Sequence, residues 1–212
     1  MNLSLQQQLT RLLYEIKNSG ETPHLLLHCC CAPCSSYVLE YLSPYFVISV
    51  FYYNPNISPP SEYEQRLNEM KRFVQEFKTP NPIHLVEGEY EPKRFYSTVK
   101  GLEEEPEGGE RCVKCFELRL SEAAKKAKEM GADYFASTLT ISPMKDATLL
   151  NNISQECGTI YNVQSLPSDF KKKNGYKRSI ELSKEYNLYR QDYCGCIFSK
   201  KERETWFNVS KK

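Results

Sequence analysis

The residues with the clearest capacity for chemistry are the nine cysteines of this 212-residue chain. Cys30 and Cys31 are adjacent, and Cys34 follows them closely. Cys112 and Cys115 form a CxxC pair at the start of a predicted helix, where two thiolates can meet one metal and the positive helix end lowers thiol pKa. The adjacent pair and the CxxC pair together offer four thiolates, the ligand number of a [4Fe–4S] cluster or an all-cysteine zinc site.

The spacing of these pairs favours iron–sulfur over zinc. Iron–sulfur clusters tolerate irregular ligand spacing, whereas structural zinc prefers two CxxC pairs, and adjacent cysteines suit one tetrahedral ion poorly. Cys34 lies within reach of the same turn and is the candidate for an additional metal ligand. Cys29 alternates with Cys30 along a predicted strand, so its side chain can face the opposite side.

Cys194-Gly195-Cys196 is a third dithiol. Glycine permits the tight backbone that brings both sulfurs to one point. Such a pair can bind a second metal or close a strained, easily reduced disulfide that stores two electrons. The alternative is two unrelated buried thiols. Cys157 lies on an apolar helix face and is expected in the core.

The end of the chain is basic. Residues 168–212 carry 12 Lys and Arg against 6 Asp and Glu, a net charge of +6, while the remainder carries −5. A run of basic residues in this segment is interleaved with aromatic ones, a combination that binds single-stranded RNA loops. The basic residues are Lys171, Lys172, Lys173, Lys177 and Arg178, and the aromatic ones are Phe170, Tyr176 and Tyr186. The charge therefore indicates an anionic partner on one side, with a solvated surface as the alternative.

The elements that position these residues alternate between strand and helix. An amphipathic helix is predicted over 4–18, and five strands alternate with helices, which predicts a parallel sheet covered on both faces. The first strand ends at the cysteines, where nucleotide-binding proteins of this architecture carry a glycine-rich turn, and no GxGxxG or P-loop pattern is present. The predicted strands are 24–28, 46–53, 83–86, 134–137 and 159–163.

We expect one α/β domain over 1–212, with an N-terminal helix (1–20), an α/β core (24–163) and a basic, mostly helical C-terminal segment (164–212). The cysteine content lies below the roughly 8–10% of a disulfide scaffold. Residues 1–11 lack the features of a signal peptide, and the longest apolar run is too short to span a bilayer. These features predict a cytoplasmic protein without a membrane partner. Clustered thiols stay reduced in the cytoplasm.

Several motifs resemble the QueH-type epoxyqueuosine reductases over about residues 24–198. The three cysteine motifs occur in the family's order, and their spacing is compatible. Shorter stretches also match, including Glu62-Tyr63-x-x-Arg66 and Asp169-Phe170-Lys171-Lys172. The cysteine motifs are His28-x-Cys30-Cys31-Ala32-Pro33-Cys34, Cys112-x-x-Cys115-Phe116-x-x-Arg119 and Tyr193-Cys194-Gly195-Cys196.

The resemblance implies deoxygenation of epoxyqueuosine to queuosine at the wobble position of tRNA, the last step of queuosine synthesis. It implies a Rossmann-like, nucleotide α-hydrolase-like fold and a [4Fe–4S] cluster, with a second mononuclear metal, iron or zinc, nearby. Cys34 is then a candidate ligand of the second metal. A cluster that uses Cys29 instead of Cys31 as a ligand is an open alternative. The implied cluster ligands are Cys30, Cys31, Cys112 and Cys115, and the implied redox pair, or second-metal ligands, are Cys194 and Cys196.

The anticodon loop of tRNA is the expected partner, together with an unidentified electron donor. Its phosphates would contact the basic segment of the chain. Asp192 or Tyr193 is the predicted proton donor. Two competing classes are a zinc-containing tRNA-binding protein and a sulfur-transfer or ATP-dependent tRNA-modifying enzyme of the same fold. The predicted tRNA contacts are Lys171, Lys172, Arg178 and Arg190.

Overall fold

A computed structural model describes residues 3–209 of the chain, so residues 1–2 and 210–212 of the predicted domain lie outside the described residues. Helices and strands alternate along most of this length, as the sequence predicts. The elements are α1 (Leu5–Ser19), β1 (His24–His28), α2 (Ala32–Leu42), β2 (Val47–Tyr52), α3 (Pro60–Glu76), β3 (Ile83–Glu87), α4 (Pro92–Thr98), α5 (Glu110–Glu129), β4 (Tyr134–Ser137), a 3-10 turn (Thr138–Ile141), α6 (Ala147–Tyr161), β5 (Gln164–Ser165), α7 (Gly175–Glu185) and α8 (Ile197–Val209).

The five strands form one parallel sheet in the order β3-β2-β1-β4-β5. This arrangement confirms the predicted α/β class. The chain proceeds outward in one direction from β1 to β3 and in the other from β4 to β5, so the order reverses between β1 and β4. In open parallel sheets, ligands bind beyond the carboxyl ends of the strands at this reversal. His28 and Ser137 end these two strands and lie side by side.

The two faces of the sheet are covered by different helices. Leu25 and Leu27 pack into a core that includes residues of α1, α2 and α3, whereas Leu26 packs against α5 and α6. This alternation is the period of a β-strand buried on both faces. Because of this alternation, successive side chains at the end of β1 point to opposite faces of the sheet.

Helix α1 confirms the predicted N-terminal helix. Ser4 caps it, because the Ser4 hydroxyl accepts from the Gln7 N–H while the Gln7 side chain accepts from the Ser4 N–H. The buried side chains of Leu9, Leu13 and Ile16 form the face that packs on the sheet. The helix thus extends one of the two cores.

The fifth strand is where the sequence-based prediction was wrong. The sequence predicts a helix that ends before Gly158 and a strand over 159–163. In the structure, α6 continues to Tyr161 and β5 is Gln164–Ser165. The sheet therefore extends two residues beyond the predicted end of the α/β core at residue 163. Gly158 permits close packing instead of ending the helix, because a Cβ there would lie 2.7 Å from the Val163 carbonyl oxygen. The helix ends at Asn162, which adopts the left-handed conformation (φ 52°).

After β5 the chain is mostly helical, as predicted. Helix α7 packs against α2, and α8 follows the CGC sequence. None of the helices within the described residues is both long and apolar enough to cross a membrane.

Candidate functional site

Three cysteines meet where β1 ends and α2 begins. Their sulfur atoms all lie within 4.8 Å of one another, a spacing at which they could hold a metal ion. Cys31 is the N-cap residue of α2, and Pro33 occupies the first turn, so the positive end of the helix faces the sulfurs. We call Cys30, Cys31 and Cys34 the first thiol group.

Mutual hydrogen bonding decides which thiol of this group ionises first. Hydrogen bonds with Cys31 and Cys34 hold the pKa of Cys30 well below its usual value. The hydrogen bond with Cys30 raises the pKa of Cys31 to about 12. Hydrogen bonds with Cys30 and Cys31 also raise the pKa of Cys34. The Gln191 amide donates to the Cys31 sulfur at 2.9 Å. The group therefore carries its first negative charge on Cys30, stabilised by two protonated neighbours.

Cys29 lies apart from the first thiol group. Its side chain is fully buried in the core on the other face of the sheet, and its sulfur contacts the Leu27 carbonyl oxygen at 3.4 Å. Burial raises the pKa of this thiol. Cys157 is likewise buried in the core, as predicted. Among the three consecutive cysteines, geometry thus separates Cys29 from Cys30 and Cys31.

Four cysteines line a small cavity beside the first turns of α5, together with Phe95 and Phe116. Burial raises the pKa of the Cys115 thiol to about 12 and raises that of Cys196. All nine cysteines lie within the described residues and all are free thiols, including Cys194 and Cys196, for which a disulfide was one alternative. We call Cys112, Cys115, Cys194 and Cys196 the second thiol group.

The CGC sequence is held in place by α3 and the loop before it. Gly195 has φ +130°, and a Cβ there would lie 3.0 Å from Ile57 and 3.2 Å from Arg66. The Ser58 N–H donates to the Gly195 carbonyl at 2.8 Å, and Arg66 donates to the Cys194 carbonyl at 3.3 Å. Glycine is therefore required at this position by both conformation and space.

Two cations, to which the sequence motifs assign no role, lie near thiols of both groups. Arg119 is buried and donates to the Cys115 sulfur at 4.0 Å, one helical turn away. Lys145, after β4, has a raised pKa because of nearby Cys194, with smaller contributions from Cys30 and Cys34. The spacing of Arg119 four residues after a cysteine could have revealed it. No local pattern marks Lys145, which only the meeting of β1 and β4 brings close.

The predicted proton donors differ in their surroundings. Asp192 is exposed, and Tyr193 donates its hydroxyl to the Ser58 carbonyl at 2.9 Å. Burial raises the pKa of Tyr193 to about 12. The Arg66 guanidinium lies over the Tyr193 ring, 5.3 Å from its centre. These contacts give Tyr193 a role in holding the CGC segment.

The four predicted tRNA contacts also differ. Arg178 forms ion pairs with Glu40 and Glu185, and Lys171 forms an ion pair with Asp169 at 3.0 Å. These intramolecular partners already occupy both cations. Lys172 and Arg190 are exposed, and the Arg190 guanidinium donates to the Ser183 hydroxyl at 2.9 Å.

Comparison with known proteins gives a consistent family. The family model for the epoxyqueuosine reductase QueH matches residues 25–202. The chain is 48% identical to the epoxyqueuosine reductase QueH of Staphylococcus epidermidis over 201 residues, which covers 93% of this chain and 84% of the relative. It is 50% identical to that of Streptococcus pyogenes over 181 residues, covering 84% and 71%. The chain belongs to the QueH family of epoxyqueuosine reductases.

Proposed function

We propose that this chain reduces epoxyqueuosine to queuosine in tRNA with an iron–sulfur cluster and a redox-active cysteine pair. The observation that carries this proposal is the grouping of seven thiols into two groups, with buried Arg119 close to both, in a chain of the QueH family. A reductase needs a site that holds redox chemistry close to a substrate, and the reversal between β1 and β4 is where this architecture binds ligands. The cytoplasm, with its reduced thiols and its tRNA, is the proposed location.

The donor set fits a cluster in charge as well as in chemistry. Iron–sulfur clusters bind cysteine thiolates, and seven thiols lie in the two groups. Arg119 is buried near thiols of both groups and has no carboxylate partner among the described residues, whereas Arg66 and Arg111 form ion pairs with Glu62 and Glu202. Buried cations need anionic partners, which thiolates bound to a cluster supply.

Two ligand assignments follow from different observations. The sequence motifs assign the cluster to Cys30, Cys31, Cys112 and Cys115, with Cys34 on a second metal and the CGC pair as redox thiols. The grouping of the sulfurs favours an alternative in which the second thiol group holds the cluster. The first thiol group then holds a mononuclear metal, since its sulfurs lie within 4.8 Å of one another.

The reaction requires two electrons and two protons, because removing the epoxide oxygen leaves a carbon–carbon double bond and water. A cluster held by four of these thiolates would supply electrons one at a time, and a metal ion held by the remaining thiols would supply Lewis acidity toward the epoxide oxygen. Alternatively, the Cys194 and Cys196 thiols give up two electrons and two protons as they form a disulfide. Lys145 lies close enough to Cys194, Cys30 and Cys34 for their charges to raise its pKa, so it stays an ammonium, which in this proposal stabilises negative charge on the departing oxygen.

The anticodon loop is the proposed partner on the basic side of the protein. Exposed Lys172 and Arg190 make direct phosphate contacts in this proposal. Lys171 and Arg178 join them by exchanging their internal carboxylate partners for phosphate. The electrons come from a separate reductant, for which reduced methyl viologen substitutes in an assay.

The test is anaerobic reconstitution followed by iron and sulfide analysis, electron paramagnetic resonance, and conversion of epoxyqueuosine in tRNA measured by nucleoside mass spectrometry. The motif assignment predicts that Cys30→Ala and Cys112→Ala both lose the cluster, whereas the grouping assignment predicts loss only in Cys112→Ala. Cys157→Ala is the matched control, since this thiol is buried in the core. Full iron and sulfide in Cys112→Ala contradicts both assignments.

The same preparation separates the competing functions. Zinc without acid-labile sulfide, together with tRNA binding and no turnover, supports a zinc-containing RNA-binding protein. ATP binding with ATP-dependent modification supports the sulfur-transfer class.

A further inference from the structure

Three arginines near the thiol groups are almost completely buried. Arg66, Arg111 and Arg119 are 1–2% exposed, which is uncommon for a permanently charged side chain unless it is paired. Arg66 forms an ion pair with Glu62 at 2.7 Å, and Arg111 with Glu202 at 2.8 Å. Within the described part of the chain, no carboxylate forms an ion pair with Arg119.

The contacts of Arg119 fix it between the two thiol groups. Its Nη2 donates to Asn54 Oδ1 at 2.7 Å, and Asn54 is itself held by donating to the Cys29 carbonyl. Its Nη1 reaches the Cys115 sulfur at 4.0 Å, and its Nε has no hydrogen-bond partner among the described residues. The guanidinium is therefore rigid, dry and without a balancing carboxylate.

The charge of Arg119 acts on both groups. After the larger effects of hydrogen bonding and burial, it lowers the pKa of Cys30, and it opposes the rise that burial causes in the pKa of Cys115. Neighbouring His28 adds no charge, because burial lowers its pKa to about 3. Its Nε2 faces the Tyr53 carbonyl and must donate, so Nδ1 accepts from Ser137.

We propose that Arg119 sets the reduction potential of the cluster by supplying an uncompensated positive charge beside its thiolate ligands. This inference rests on the proposed function, since it requires the cluster. Reduction adds negative charge to the cluster, and a nearby fixed cation in a low-dielectric interior favours that charge. Net charge and hydrogen bonds to sulfur are known determinants of cluster potential. Arg119 acts through the cluster and is a positioning residue.

The test measures the midpoint potential of anaerobically reconstituted protein by redox titration with electron paramagnetic resonance. In Arg119→Gln we expect the ratio of reduced to oxidised cluster at a fixed potential to fall about tenfold, a shift of about 59 mV to more negative potential. Arg119→Lys keeps the charge and should restore most of the wild-type potential. Arg94→Gln removes an exposed arginine whose partner is Glu122 and should leave the potential unchanged.

A second variant tests the same idea without removing the arginine. Asn54→Asp gives Arg119 a carboxylate partner and should shift the potential in the same direction as Arg119→Gln. An unchanged potential in cluster-loaded Arg119→Gln or Asn54→Asp overturns the inference and leaves the proposed function intact. If folded Arg119→Gln loses the cluster and Arg119→Lys keeps it, the positive charge of Arg119 is what matters, which supports the inference. If both variants lose the cluster, Arg119 matters for packing rather than for charge, which overturns the inference. Wild-type protein without acid-labile sulfide overturns both proposals.

Discussion

The two thiol groups differ in how the chain assembles them and in the environment that it gives them. The first comes from five consecutive positions at a strand end and a helix N-terminus, and it can carry a thiolate on Cys30. The second joins the start of α5 to a segment about 80 residues later, and burial keeps Cys115 and Cys196 protonated. One group is electrostatically prepared for metal binding, whereas the other releases its protons only when a metal or an oxidant compensates the charge.

The difference teaches how one site can serve two steps. A group near the ligand-binding reversal of the sheet is suited to meeting substrate atoms. A group in a dry cavity is suited to holding electrons away from water. Lys145 and Arg119 connect the two electrostatically, so a change in the charge of one group affects the other.

The largest effect is expected from ligand removal in the two groups. Cys115→Ser should lower turnover by about 100-fold or more, with loss of iron and sulfide, because Cys115 is a cluster ligand in both assignments. Cys34→Ser should keep the sulfide and lose the mononuclear metal. Metal and sulfide analysis of both proteins checks this, and equal sulfide loss in the two variants would remove the distinction between the groups.

Neutralising Lys145 should give the next largest effect. In Lys145→Gln we expect kcat to fall by roughly 100-fold, the range for loss of a group that stabilises negative charge in the transition state, with the iron content unchanged. Single-turnover conversion of epoxyqueuosine measures the chemical step directly. Lys125→Gln, a substitution on α5, is the control, and a Lys145→Gln protein with normal kcat contradicts the role of this residue in the reaction.

The thiols of the metal-free protein should differ in reactivity with pH. At pH 8, Cys30 is expected to alkylate faster than Cys115, because hydrogen bonds lower the pKa of Cys30 while burial raises that of Cys115, and the larger thiolate fraction outweighs the lower intrinsic nucleophilicity of Cys30. As the pH rises toward about 12, the Cys115 thiolate fraction increases and the difference should shrink. Peptide mass spectrometry after timed exposure to iodoacetamide measures both rates. Equal rates at pH 8 would show that the two environments are alike.

The smallest effect is expected at the basic surface, away from both thiol groups. Lys172→Glu should weaken tRNA affinity by about tenfold or less and reduce its salt dependence, as expected for a lost phosphate contact. Arg178→Gln should have a smaller effect, since Glu40 and Glu185 already pair with Arg178. Binding titrations at several salt concentrations compare the two, and a larger loss in Arg178→Gln would reverse this order.

Local patterns were sufficient to predict most of the secondary structure. The spacing of apolar residues identified α1 and β1. A helix that buries one face has apolar residues at helical spacing, and a strand that is buried on both faces is a short continuous apolar run. The prediction failed at β5, because a glycine usually ends a helix, whereas Gly158 serves close packing against the Val163 carbonyl. Val163 follows Gly158 by only five residues, but the clash that a side chain at this position would cause arises only in the folded turn that ends the helix.

The sequence by itself determined which residues can do redox chemistry: paired cysteines, a CGC turn, and the family to which their motifs belong. Only the tertiary structure decided how the distant motifs are grouped, with Cys112 and Cys115 beside the CGC turn. It also brought Lys145 and buried Arg119 between the groups. The physical reason is that thiol identity is a property of each residue, whereas charge balance and pKa arise from distant segments meeting in a low-dielectric interior.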